Sequence, residues 1–253
     1  EITYGDWSSD VCSSDLASVR KYAARGLYLA LGTDAIPHFE AALIAEKDPG
    51  CRTLMRWLCD VHFKETKAPE IRPGESSYGS CFGMLYKLYV PKGYDGKRQS
   101  RLLVTIHAGD GTPDAYVDVC RNVADREQCV LLAPFFDSNN FPLYDMLCAD
   151  LTDTRSDQRL LQAVDSLPQY VNVAKDRFFL FGHANGGRFV LRFVMAHPDR
   201  ILRAAACSFN NAIMPDSQGL FPHGPNPSPL LPDLADVSFK SLVSVPLITV
   251  VGS

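Results

Sequence analysis

The sequence predicts an α/β fold, with a mostly parallel sheet covered by helices on both faces. Two observations point to it. From about residue 79 onward, short apolar runs of strand character alternate with helical periods. Within that alternation the turn Gly182-His183-Ala184-Asn185-Gly186-Gly187 joins one apolar run directly to a helix. Hydrophobic content of 46% against 21% charged residues is ordinary for a chain that buries a core. No run of eighteen or more apolar residues occurs, so no membrane span is expected.

The chain divides by texture into four parts. Residues 1–16 stand apart: Asp6-Trp7-Ser8-Ser9-Asp10-Val11-Cys12-Ser13-Ser14-Asp15-Leu16 matches the translation of a short-read sequencing adapter, and Glu1-Ile2-Thr3-Tyr4-Gly5 fits the index segment before it. This stretch is read as adapter-derived, disordered and outside the fold. Residues 17–63 form a helical N-terminal segment. Leu27, Leu31, Phe39 and Leu43 recur at helical spacing, Gly32-Thr33-Asp34 and Asp48-Pro49-Gly50 punctuate, and a third helical run covers Cys51 to Phe63. Residues 64–78, with Pro69, Pro73 and Gly74, read as a linker, and residues 79–253 as the α/β domain without its last strand and helix.

Charge follows the same division. The chain has 29 acidic and 25 basic residues, a formal charge of −4, but residues 1–16 carry Glu1, Asp6, Asp10 and Asp15 and no Lys or Arg. The remainder balances at 25 against 25, which suggests neither a nucleic-acid nor a membrane-surface partner. Beyond Cys12, the cysteines are Cys51, Cys59, Cys81, Cys120, Cys129, Cys148 and Cys207; they show no CxxC pair and no metal spacing. They are read as core packing, with disulfides as the alternative. No initiator Met is present, so localisation is not read from the sequence, and neither is oligomeric state.

In the α/β domain, Phe82 to Val90 alternates like a half-buried strand closed by Pro91-Lys92-Gly93-Tyr94. Leu102 to Ile106 and Cys129 to Ala133 are continuous apolar runs, as in strands buried on both faces. Pro113 to Asp125 reads as a helix, and Arg155 to Tyr170 as another starting at an N-cap near Thr154. Arg177 to Phe181 is a strand, Gly187 to Ala196 a helix and Ala204 to Phe209 a strand. After a Pro-, Asn- and Gly-rich loop over 210–237, Pro246 to Val251 is the final strand.

The turn at 182–187 carries the chemistry. Acyl transfer needs a nucleophile held out on a sharp strand-to-helix turn, where small flanking residues permit a strained backbone. The N–H of the following residue, at the helix N-terminus, then helps hold the developing oxyanion. Here Phe178-Phe179-Leu180-Phe181 is the strand, and the helix runs from Arg188 to His197 before Pro198. With Val173-Ala174-Lys175-Asp176-Arg177 leading in, the region resembles the nucleophile elbow of polyhydroxybutyrate-depolymerase-like and feruloyl-esterase-like serine hydrolases of the α/β-hydrolase superfamily, whose turn reads Gly-x-Ser-x-Gly-Gly. The resemblance covers roughly residues 80–253 and is most specific over 101–113 and 173–209. It implies an α/β-hydrolase fold and a carboxylic-ester hydrolase acting through an acyl-enzyme with Ser, Asp and His in that order. The sequence itself has no metal-ligand cluster and no nucleotide fingerprint, so neither metal nor cofactor is expected.

Carried over residue by residue, the resemblance puts Ala184 at the nucleophile's position, with Gly182, His183, Gly186 and Gly187 as the elbow. The oxyanion donors are the N–H of Asn185 and one of Ala108 or Gly109, after Ile106-His107. His107 is read as a residue shaping that loop, and His183 as a packing residue rather than a proton carrier.

Three departures limit activity. Ala184 has no hydroxyl, and losing the nucleophile leaves only what binding and the oxyanion hole supply. The acid is expected after Val251-Gly252-Ser253 and the histidine beyond the next strand, so neither is in the sequence. Asp216 and His223 stand in the right order but before the last strand, as loop residues do. Natural loss, an introduced change and a single-base error (TCN to GCN) are all open origins for Ala184. The chain as written is expected to be catalytically dead. The alternative is a pseudohydrolase that uses the old pocket to bind a small ester, an acyl ligand or a protein. Phe135, Phe136, Phe141 and Tyr144 are candidates for the pocket wall or for packing beneath loops, and Gly109-Asp110-Gly111 lacks the spacing of a phosphate-binding loop.

Overall fold

The structure, a computed structural model, describes residues 20, 23, 24, 27, 35–48, 51, 52, 55, 68–81, 84–109, 111–137, 141, 143–147, 155–210, 213, 218–228 and 231–250. The chain separates into two units, Glu1–Phe63 and Lys64–Ser253. In the first, helix α1 (Ile36–Ala45) starts on Pro37 and buries Phe39. Its last carbonyls are covered by the Arg52 guanidinium, which donates to Leu43 O at 2.9 Å and Glu46 O at 2.7 Å. The whole adapter-like stretch, and most of the early helical period and of the third helical run, lie outside the described residues.

The second unit is one seven-stranded sheet. Its strands are β1 (Ser76–Cys81), β2 (Met84–Tyr89), β3 (Arg101–Ile106), β4 (Cys129–Phe135), β5 (Phe178–His183), β6 (Ile201–Cys207) and β7 (Leu247–Val250). The spatial order is β1-β2-β4-β3-β5-β6-β7, antiparallel over β1, β2 and β4 and parallel from β4 to β7. Among the described residues, helices α2 (Pro113–Glu127), α3 (Ser156–Ser166), α4 (Asn185–Ala196) and the short α5 (Lys240–Ser244) make up the other regular elements, together with 3₁₀ turns.

The local reasons are visible. β4 is buried at all seven residues, as its unbroken apolar run requires. α2 ends at Gln128, in the left-handed region at φ 51, with its N–H on Ala124 O and Asp125 O. α4 buries nine of its twelve residues, with Phe189, Val190, Phe193 and Val194 fully inside. Burial pushes the Cys120 thiol up to about 11 and also raises those of Cys81 and Cys129. All three are free thiols and pack as small hydrophobes.

Several boundaries differ from the sequence reading. The expected linker ends in β1, because Ser76–Cys81 pairs with β2 and Gly79 leaves room for Tyr86 across the pair. A Cβ on Gly79 would lie 2.5 Å from the Tyr86 ring, which is wholly buried. β2 is buried at five of its six residues rather than half-buried, because β1 and β4 pair along its two edges and α2 packs on it. The helix expected over Arg155–Tyr170 runs from Ser156 to Ser166, then tightens into a 3₁₀ turn at Leu167–Gln169 where Pro168 stops it. Its cap position is Arg155, without a side-chain cap bond, and Thr154 lies outside the described residues. The helix α5 was missed, being only five residues long.

Candidate active site

The turn between β5 and α4 is held in an uncommon conformation. Ala184 sits at φ 53 and ψ −116, a combination an L residue rarely adopts. Its N–H donates to Cys207 O at 2.9 Å, and its carbonyl accepts the Arg188 N–H at 3.1 Å. The neighbouring glycines make the turn sterically feasible. A Cβ on Gly182 would lie 2.2 Å from Gly186 O, and one on Gly186 would lie 2.3 Å from Ile106 O. Strand β5, helix α4 and the end of β3 thus converge with no room for a side chain, and residue 184 is pushed out over the end of the sheet.

The loop after β3 lies alongside. A Cβ on Gly109 would be 2.7 Å from Nδ2 of the Asn185 side chain, so Gly109 and Asn185 are neighbours. Asn185 opens α4, where an N–H has no intrahelical acceptor. Gly109 N–H donates to no described residue. Ala108 differs: its N–H donates to the Tyr116 hydroxyl at 2.9 Å, and its carbonyl accepts Gly111 N–H at 2.9 Å. Gly187, also in the turn, packs under β6, 3.0 Å from Cys207 O by the position of a Cβ.

His107 shapes this loop. It is 1% exposed. Its Nε2 accepts the Phe136 N–H at 2.9 Å, and its Nδ1 is 2.6 Å from Ala108 O. A backbone N–H can only donate, so Nε2 is unprotonated and Nδ1 carries the hydrogen. Tyr144 donates to His107 O at 2.6 Å, and Ser156 to Tyr144 O at 2.8 Å. The rings of Phe136, Tyr144 and Phe189 stack at centroid distances of 5.2 and 5.3 Å from Phe136, with Phe141 edge-on at 5.2 Å. Phe135, Phe136, Phe141 and Tyr144 are all buried, and Phe136 stacks on Phe189 of α4, so they pack beneath the loop rather than wall a pocket.

His183 departs from its expected role. It is exposed at the end of β5, opposite Cys207 in the ladder, and is not a packing residue. His223 is exposed in the 218–228 segment, and Asp216 lies outside the described residues.

Sequence reasoning missed two charged clusters. Arg188, in the first turn of α4, pairs with the buried Asp145 at 2.9 Å, fastening the 3₁₀ turn Tyr144–Met146 to the elbow helix; its Nε has no partner among the described residues. At the far end of α4, His197 Nε2 lies 2.7 Å from Asp157 Oδ2, and Arg155 bridges Asp157 to Asp233. Burial alone would raise the Asp157 carboxyl, but hydrogen bonds from His197 and Arg155 and the Arg155 charge hold it below the usual carboxylate range. This Asp–His pair is about 18 Å from Ala184, the length of a twelve-residue helix, and does not serve the elbow. Neither cluster has a local signature: Asp157 and His197 are forty residues apart in sequence. Among the described residues, no group of three or more His, Cys, Asp or Glu could hold a metal, and no helix is long and apolar enough to cross a membrane.

The strand order, the elbow after the strand central to the parallel run and the helix behind it define the α/β-hydrolase fold. Known structures agree. A poly(aspartic acid) hydrolase from Sphingomonas sp. KT-1 is similar at TM-score 0.56 and 24% identity, over 72% of this chain and 73% of that one. A poly(3-hydroxybutyrate) depolymerase from Bordetella parapertussis is similar at TM-score 0.52 and 19% identity, over 67% and 60%. A fluorophosphonate-binding serine hydrolase from Staphylococcus aureus is similar at TM-score 0.51 and 15% identity, over 72% and 80%. A hydrolase, a depolymerase and a serine hydrolase thus share the fold of this chain, which spans 60% of the depolymerase's length. No protein-family model and no curated protein matches the sequence.

Proposed function

We propose that this chain is a carboxylesterase-type α/β-hydrolase whose site is arranged for an acyl-enzyme route and is silent as written because Ala184 stands where the nucleophile belongs. The observation that carries the reading is the backbone of Ala184 at φ 53, kept in place by Gly182 and Gly186. Alanine gains nothing from that conformation, whereas a side-chain nucleophile there would be presented to a substrate carbonyl. The oxyanion would be held by the N–H groups of Asn185 and Gly109, because Ala108 N–H is already donated to Tyr116. The ligand class is a small ester or acyl group, with no cofactor.

The test restores the missing atom. With Ala184→Ser, the introduced oxygen attacks the carbonyl carbon of p-nitrophenyl acetate and loses its proton to a base. The acetyl moves to that oxygen and p-nitrophenolate leaves. Imidazole in the buffer supplies a base. Intact mass should show one acetyl added to the variant and none to the parent or to Ala184→Gly. A folded Ala184→Ser chain that stays unacetylated sinks the reading.

The absent hydroxyl also favours a second reading, a non-catalytic pseudohydrolase that retains a binding site. Titration of the parent chain with 4′-nitroacetophenone, an unhydrolysable ketone of similar shape, tests it. Saturable shifts of the Ala184, Asn185 and Gly109 amides, with no acetylation of the serine variant, would favour this reading. Absence of such shifts would discard it.

A further inference from the structure

At the end of the sheet where β3 and β5 begin, opposite the elbow, lies an open cavity of about 450 Å³. That size falls in the range of small-molecule sites, about 300–1,000 Å³. Two passing segments form it, one just before β3 and one between α3 and β5, and they are stapled together. Ser100 N–H donates to Asn172 O at 3.0 Å and Ala174 N–H to Ser100 O at 2.8 Å. Asn172 adds two more links, its N–H to the Tyr94 hydroxyl at 2.7 Å and its Nδ2 to Gly96 O at 3.0 Å. Val171 and Val173 anchor the floor in the core. The cavity therefore exists without a ligand to shape it.

The lining selects a chemistry. Tyr94, Tyr170 and Pro168 offer flat, rigid faces, while Gln99 and Gln169 offer amides, each both donor and acceptor. The side chains of Gln99, Gln169 and Tyr170 make no hydrogen bond to any described residue. Charge is balanced: Lys175 and Asp176 both line the cavity, and Arg200 is turned to Asp165 and to the backbone carbonyls of Lys175 and Asp176. Phosphate or carboxylate recognition needs an excess of cationic donors, which this lining lacks. An apolar ligand would leave the amides unmatched. Sugar hydroxyls, which donate and accept at once, match the amides, and sugar C–H faces match the tyrosines.

We propose that this cavity binds a short neutral oligosaccharide, at a site separate from the elbow. The strands between the two sites are six residues long, about 20 Å. Cellotriose is the probe, titrated against the folded chain with amide shifts and heat as readouts. Saturable binding is expected, weakened about fivefold by Gln169→Ala and by Tyr170→Ala. Gln169 is exposed, so its truncation leaves the fold intact and keeps the test meaningful if Tyr170→Ala unfolds. Binding should be unchanged by Ala184→Gly, so that failure here is distinct from failure at the elbow. The proposal is overturned if cellotriose shows no saturable binding, if Gln169→Ala leaves it unchanged, or if a galacturonate trimer or a glucosamine trimer binds as tightly.

Discussion

Gly182 and Gly186 approach so closely that a Cβ on Gly182 would lie 2.2 Å from the Gly186 carbonyl oxygen. That oxygen belongs to the backbone of the first turn of α4 and cannot swing aside. Gly182→Ala should therefore force β5 and α4 apart and cost about 1–3 kcal/mol or more, as overpacked sites do. Gly109→Ala is the comparison. Its Cβ meets the end of the Asn185 side chain at 2.7 Å, which can rotate away. Urea midpoints should fall markedly for Gly182→Ala and by much less for Gly109→Ala. Equal effects would contradict the convergence of strand and helix backbone described for the turn.

Ala184→Gly should stabilise the protein. Holding an L residue at φ 53 costs on the order of 1–3 kcal/mol, and glycine relieves it. Against that, glycine makes the unfolded chain more flexible, which costs about 0.4–1 kcal/mol. Ala184 is only partly buried, so little packing is lost. The balance is a gain of about 1 kcal/mol, read as a rise in thermal midpoint. A fall would mean that the turn is not strained at this residue.

His107→Phe removes the buried acceptor of the Phe136 N–H, together with the Nδ1 contact to Ala108 O. Phenylalanine fills the space between the rings of Phe135 and Tyr144, which lie 5.4 and 5.0 Å from the imidazole, but it cannot accept the Phe136 N–H. A buried donor left without a partner costs about 1–3 kcal/mol. Hydrogen exchange at the Phe136 amide should quicken along with the loss of stability. An unchanged rate would show that the His107 ring is not its acceptor.

How much of this was legible beforehand differs by residue and by cause. The elbow could be read because its glycines are required by a backbone approach and sit within six residues of one another. The buried strands β3 and β4 could be read from their unbroken apolar runs. β1 could not, since Ser76-Ser77-Tyr78-Gly79-Ser80-Cys81 has no strand composition and owes its conformation to β2 across the ladder. The aromatic residues after β4 carry the same composition whether they wall a pocket or fill a core, and only the stack on Phe189 decides between these. The donation of Ala108 N–H to Tyr116 narrows the oxyanion candidates, yet it depends on where α2 docks. The site beside the elbow was thus legible in its backbone and not in its side-chain partners.

Acid should weaken the fold through Asp157. Its carboxyl is held below the ordinary aspartate value of about 3.9 by His197 and Arg155, despite full burial. A group with a depressed folded-state pKa contributes stability that is complete above the unfolded value and is lost as pH falls through the folded one. The loss should therefore begin near pH 4 and deepen below it. Asp233, on the other side of Arg155, is half-exposed and screens poorly for a missing Asp157. Asp157→Asn should cost about 3–5 kcal/mol near neutrality, because it leaves Arg155 buried with a weaker partner. It should also flatten the acid limb, since one titrating group is gone. Urea unfolding of both proteins from pH 6 downward measures the two effects together. If the curves run parallel below pH 4, Asp157 is not the carboxylate whose protonation unfastens α3 from the end of α4.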